Sequence, residues 1–148
     1  MTSLPTDTPP QEPALIIADE LVRAYHAFAT FNAHYLQQYD LTPPQADVIF
    51  ILGQAHNLTF KELGQKTAIT KGTLTGVINR LEKKGWLRRI AHIEDRRSTK
   101  VALTVKGEQR FLNIFPARIT YLKTRFARLS KDELHQVEGA LKKLRHLF

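Results

Sequence analysis

Residues 70–90, TKGTLTGVINRLEKKGWLRRI, and residues 95–104, DRRSTKVALT, decide the fold between them. In the first stretch Leu74, Val77, Ile78 and Leu81 recur at the three-to-four spacing of a helix, with Thr70 placed to cap its start and Gly85 to close its end. The segments WLRRIAH (86–92) and TKVALT (99–104) then alternate in the manner of strands and are joined by IEDRRS. Upstream, the pair Thr59 and Glu62 is a capping-box signature that opens a short helix ending near Thr67. Thr42, followed by Pro43 and Pro44, opens another over about 43–55, since the first helical positions need no amide hydrogen. Two short helices, a tight turn and a hairpin make a winged helix-turn-helix, in which the second helix is sized for a major groove and the hairpin reaches alongside it.

The flanks are helical too. ALIIADELVRAYHAFATFNAHYLQQ predicts one long helix over about 14–38, and the chain closes with helices over about 104–129 and 131–147. The order is four helices, two strands and two helices: mainly α with a small β-hairpin wing. The expected organisation is a flexible Pro-rich tail at 1–13, helical dimerisation segments at 14–40 and 105–148, and a winged helix-turn-helix DNA-binding domain at 41–104. Dimerisation follows from patterning. The outer helices carry apolar stripes wider than so small a central domain can bury, and two copies clasped along them would remove that surface from water. The alternative is a single bundle folded back on the wing domain.

Composition narrows the partners. The chain of 148 residues has a net charge of +8, and residues 61–110 carry all of it, with 13 Lys and Arg against 5 Asp and Glu. Such concentration is the footprint of a polyanion site. No cysteine is present, which excludes a disulfide framework, a thiolate zinc site and a thiol redox switch, and fits a cytoplasmic protein. Four of the seven prolines fall in the first 13 residues, which lack the basic and apolar parts of a signal peptide, and no apolar run is long enough to span a bilayer.

On the helix from Thr70, the residues Lys71, Thr73, Thr75, Asn79 and Arg80 fall mostly opposite the apolar face. They present polar ends suited to base edges or phosphates. Gly72 and Gly76 are costly inside a helix, by roughly 1 kcal/mol each relative to alanine. Either the helix there comes close to a phosphate backbone or a base methyl, or the glycines admit tight packing against the preceding helix. Between the strands, Asp95, Arg96, Arg97 and Ser98 form the wing tip. Paired arginines suit the negative potential of a narrow minor groove, and Asp95 is placed to orient Arg97. The plainer reading is a solvated turn with a surface pair of little energetic weight.

The run TKGTLTGVINRLEKKGWLRRI, followed by D-x-R at Asp95 and Arg97 and by Leu103-Thr104, resembles the MarR/SlyA family of bacterial transcriptional regulators, and the helix order matches from about 14 to 147. The resemblance implies a homodimer with intertwined outer helices, a recognition helix at 70–84 reading double-stranded DNA in the major groove, and Arg97 in the minor groove. It also implies response to a small aromatic or anionic effector, for which Tyr25, Phe28, His34, Tyr35, Arg118 and Tyr121 lie in suitable elements. The same residues could equally be core or dimer contacts. Gly72 and Gly76 depart from the family pattern, where larger or polar side chains are more usual.

No enzyme signature stands beside this. The six histidines are scattered without metal-binding spacing, and no nucleophile elbow, P-loop or dinucleotide fingerprint is present, so neither a cofactor nor a metal is expected. The competing class is a winged-helix module for protein–protein or RNA contact without sequence-specific DNA binding.

Overall fold

A computed structural model describes residues 12–91 and 98–148. They fall into two compact units, divided between Ala46 and Asp47.

In the first unit, α1 runs Pro13–Gln37 with Pro13 in its first turn. Asp40 closes the helix in the left-handed region (φ 55°), with Leu41 N–H reaching back to the Leu36 carbonyl at 3.3 Å and Asp40 N–H to Gln37 at 3.0 Å. This is the reciprocal closing pattern in which a short polar residue can replace glycine. Asn32, Tyr35 and Leu36 are buried, whereas Leu15, Ile16, Leu21, Val22 and Phe28 are exposed. The next helix, α2 (Pro43–Ala55), begins in this unit and continues into the second. At its start Thr42 Oγ1 accepts from Gln45 N–H (3.4 Å) and Gln45 Oε1 accepts from Thr42 N–H (3.2 Å), a capping box with glutamine as the returning group.

The second unit adds β1 (Asn57–Thr59), α3 (Phe60–Thr67), α4 (Lys71–Lys83), β2 (Leu87–Ile90), β3 (Lys100–Leu103), α5 (Val105–Phe126) and α6 (Lys131–Arg145). The three strands form an antiparallel sheet in the order β1-β3-β2, with Leu58 opposite Val101 and Leu87 opposite Leu103. The expected two-stranded hairpin is thus a three-stranded sheet. The sequence shows no strand at 57–59 because three residues with one apolar side chain carry no period, and their pairing partner lies more than forty positions on.

Caps hold the short helices. Thr59 and Glu62 make the expected reciprocal pair, Glu62 N–H to Thr59 Oγ1 at 3.2 Å and Thr59 N–H to Glu62 Oε2 at 2.8 Å; the Thr59 backbone amide and, after it, the Thr59 hydroxyl hold the Glu62 carboxyl below its ordinary pKa. Ser130 and Glu133 repeat the device on α6. Gly85 ends α4 at φ 79°, as its position suggests. Thr104 links the sheet to α5: its hydroxyl donates to the Gly85 carbonyl (2.6 Å) and accepts from Gly107 N–H (3.1 Å). Gly107 lies against backbone, since a Cβ there would stand 2.1 Å from the Trp86 carbonyl oxygen. The core is closed by Ile49, Leu52, Leu63, Ile78, Leu81, Val101 and Ile114, all essentially inaccessible. On α5 and α6, Leu112, Ile119, Phe126, Val137 and Leu141 are exposed.

Candidate nucleic-acid interface

The interface is built on α4. Leu74, Val77, Ile78 and Leu81 are buried and anchor the helix, and this leaves Thr70, Lys71, Thr73, Thr75, Asn79 and Arg80 exposed. Three of these hydroxyls are locally engaged: Thr70 Oγ1 lies 3.1 Å from Thr73 Oγ1, and Thr75 Oγ1 donates to the Lys71 carbonyl at 3.1 Å. Thr70 is the N-cap residue by backbone position without a side-chain capping bond.

The two glycines have a clear reading. A Cβ built at Gly72 or at Gly76 would meet nothing within 4 Å. Packing against α3, one of the two accounts open from the sequence, is therefore excluded for both positions. Gly72, Gly76 and Arg80 form one row at helical spacing, so two of its three positions are open space.

Beside α4 stands β2, whose Arg88 and Arg89 are exposed. Arg89 Nε donates to Glu82 Oε2 at 3.2 Å, its Nη2 donates to Asn79 Oδ1, and its guanidinium lies 5.4 Å from the Phe60 ring centroid. Sequence reasoning missed Arg89. The only available signal was strand alternation, which puts it on the same side as the buried Leu87. Lys84 and Arg110 approach the Trp86 ring, at 4.9 and 4.6 Å from its centroid. A 530 Å³ depression lies between α3 and α4, lined by Phe60, Lys61, Gln65, Ile69, Lys71 and Leu74 among others. Of the expected wing-tip residues, Asp95, Arg96 and Arg97 lie outside the described residues. Ser98 is half-buried and borders a 490 Å³ depression with Thr59, Phe60, Lys61, Arg89 and Thr99.

The residues expected to meet an effector divide between the units. In the first, Tyr25 and His34 are exposed, while Tyr35 is buried with its hydroxyl 3.3 Å from that of Tyr39. In the second, Arg118 is half-buried, its guanidinium 4.7 Å from the Phe50 ring centroid. Its Nε finds no hydrogen-bond partner among the described residues. It borders a 260 Å³ cavity with Asp47, Phe50, Ile51, Gln54, Lys66, Thr67 and Phe115. Burial pushes the Asp47 carboxyl above its ordinary pKa, with the nearby Arg118 charge partly opposing the rise.

A family model described as MarR family matches residues 39–98. An uncharacterised HTH-type transcriptional regulator of Bacillus subtilis, YsmB, is 31% identical over 111 residues, which cover 75% of this chain and 76% of the relative. The chain belongs to the MarR family. A second match is partial: the HTH-type transcriptional regulator SarZ of Staphylococcus saprophyticus is 39% identical over 74 residues, so this chain spans about half (51%) of that relative's length. A crystal structure of NadR in complex with 4-hydroxyphenylacetate superposes with a TM-score of 0.76 at 26% identity, covering 93% of this chain and 97% of that one. The mostly helical architecture with a small antiparallel sheet is the winged-helix architecture of MarR structures.

Proposed function

We propose that this MarR-family chain is a transcriptional regulator that binds pseudo-palindromic duplex DNA as a homodimer, with an affinity altered by a small aromatic or anionic effector. The observation that carries the DNA reading is the exposed face of α4. Lysine, threonines, asparagine and arginine line a helix whose two glycines open onto solvent, within the segment that holds the whole net charge. In this reading Lys71, Thr73, Thr75, Asn79 and Arg80 meet the major groove and Arg96 and Arg97 the minor groove, with Asp95 and Ser98 shaping the tip.

Self-association is supported by the apolar side chains left in water. Leu15, Ile16, Leu21, Val22 and Phe28 on α1, and Leu112, Ile119, Phe126, Val137 and Leu141 on α5 and α6, are more than a soluble chain leaves uncovered without use. The effector proposal narrows to the Arg118 cavity. Arg118 with its unmatched Nε, Lys66 and two phenylalanine rings around 260 Å³, just below the usual range of ligand pockets, suit a single-ring carboxylate, with the Asp47 carboxyl the acidic group in the lining. NadR, whose ligand is an aromatic carboxylate, supports that chemistry. The proposal does not use Tyr25, His34 and Tyr35.

Selection of bound fragments from a random duplex pool tests the reading. The expected product is an imperfect palindrome with half-site centres roughly 10 base pairs apart. Fragments without a common sequence would favour a winged-helix module that contacts protein or RNA instead.

A further inference from the structure

Asn79 lies on the exposed face of α4. A free asparagine amide recognises adenine with both ends, its oxygen taking the N6 amino proton and its nitrogen donating to N7. Here the oxygen is engaged, because Arg89 Nη2 donates to Asn79 Oδ1 while Arg89 Nε donates to Glu82 Oε2 at 3.2 Å. Arginine offers five donors and no acceptor, so only the carbonyl end of the amide can face it, and the NH2 end turns away. Asn79 and Glu82 stand one turn apart on α4, which lets a single planar fork hold both. The guanidinium comes from β2 and also lies over Phe60 of α3, so three elements fix its position. The Arg89–Glu82 pair is about two-fifths exposed, at 39% and 41%, where ion pairs add little to stability. What the contact sets is orientation.

We infer that Arg89 is a specificity-determining positioning residue: by occupying Oδ1 it turns Asn79 into a donor-only group. Such a group favours guanine, whose edge offers N7 and O6, over adenine, which offers N7 alone. The second lone pair of Oδ1 lies beside a cationic guanidinium, which disfavours a further amino donor there and so weakens the adenine contact. The inference rests on the DNA reading above and names which bases that helix selects.

The test uses the full chain and the selected duplex, with each base pair of one half-site replaced in turn and affinity measured at fixed salt. Asn79→Ala should flatten the preference at one base pair. Arg89→Met, an unbranched side chain without the donors, should move the preference at that same pair toward adenine by about fivefold or more. The shift should vanish in the Arg89→Met, Asn79→Ala double variant and should be smaller in Arg89→Lys, which keeps a cationic donor on β2. Glu82→Gln, retaining the Arg89–Asn79 bond, should leave the preference as it is. Asn79→Asp, which keeps an acceptor for Arg89 but no donor, should lose the preference as Asn79→Ala does. If Arg89→Met lowers affinity for every duplex by one common factor with preferences unchanged, Arg89 is a phosphate contact and the inference is wrong. Retained preference in Asn79→Asp would overturn it independently. Failure of the DNA reading looks different: the unaltered chain would then bind no duplex in preference to another.

Discussion

Replacing Gly76 by alanine should make the protein more stable and a poorer DNA binder at once. Gly76 is the sixth residue of α4, well inside the helix, and a Cβ there meets nothing within 4 Å. The substitution therefore adds no clash and gains helix propensity, about 0.5–1 kcal/mol. For a chain of this size that corresponds to a rise in Tm of about 2–4 °C per kcal/mol, measured at one protein concentration because the proposed dimerisation would couple to unfolding. On DNA the same methyl stands in the row Gly72, Gly76, Arg80, where the proposed complex brings helix and duplex closest. Lifting the helix there should weaken charged hydrogen bonds worth about 1.5–3 kcal/mol each, hence at least about tenfold in affinity. Thermal melting and fluorescence anisotropy on the selected duplex read the two effects separately. Gly72→Ala, in the first turn, should show the same opposition with a smaller gain in stability. Undiminished affinity in the alanine variants would refute the close approach, and a loss of stability would refute the account of the open glycines.

Arg97→Ala should weaken operator binding by about tenfold or more while leaving the mass of the proposed dimer in sedimentation unchanged; equal affinity would remove the wing from the interface. Gly107→Ala places a Cβ 2.1 Å from the Trp86 carbonyl oxygen and should cost upwards of about 2 kcal/mol in urea unfolding, followed by fluorescence of Trp86, the only tryptophan. Asp47→Asn tests the half-buried carboxyl. Its folded pKa is raised by burial, so the penalty for its charge is absent below the unfolded value of about 3.9 and complete above the folded one. Stability of the unaltered protein relative to Asp47→Asn should accordingly fall as pH rises through that window, and a flat difference in urea titrations would contradict the cause assigned.

Much of this was legible because it is local. The capping pair Thr59–Glu62 operates over three residues, Thr42 shows as a cap although its partner Gln45 does not, and the buried row Leu74, Val77, Ile78, Leu81 declares itself by spacing. Strand β1 was not legible, since Asn57–Thr59 become a strand only through β3 more than forty residues later. The glycines announced that something was unusual without saying what, and the open space around them removed one of two explanations. Arg89 was hidden for a different reason: arginine in an alternating strand reads as a solvated charge, and its hold on Asn79 and Glu82 depends on how β2 lies beside α4. The wing tip at Asp95, Arg96 and Arg97 stands on sequence and family resemblance.

The most direct measurement is the salt dependence of binding to the selected duplex. The proposed dimer, with its basic segments on six to ten phosphates, should show a log-log slope of affinity against salt on the order of −5 to −9, steep for the palindrome and for random duplex alike, with the palindrome bound more tightly at every salt concentration. A slope near zero would contradict the claim that the charge gathered between residues 61 and 110 serves to hold a polyanion.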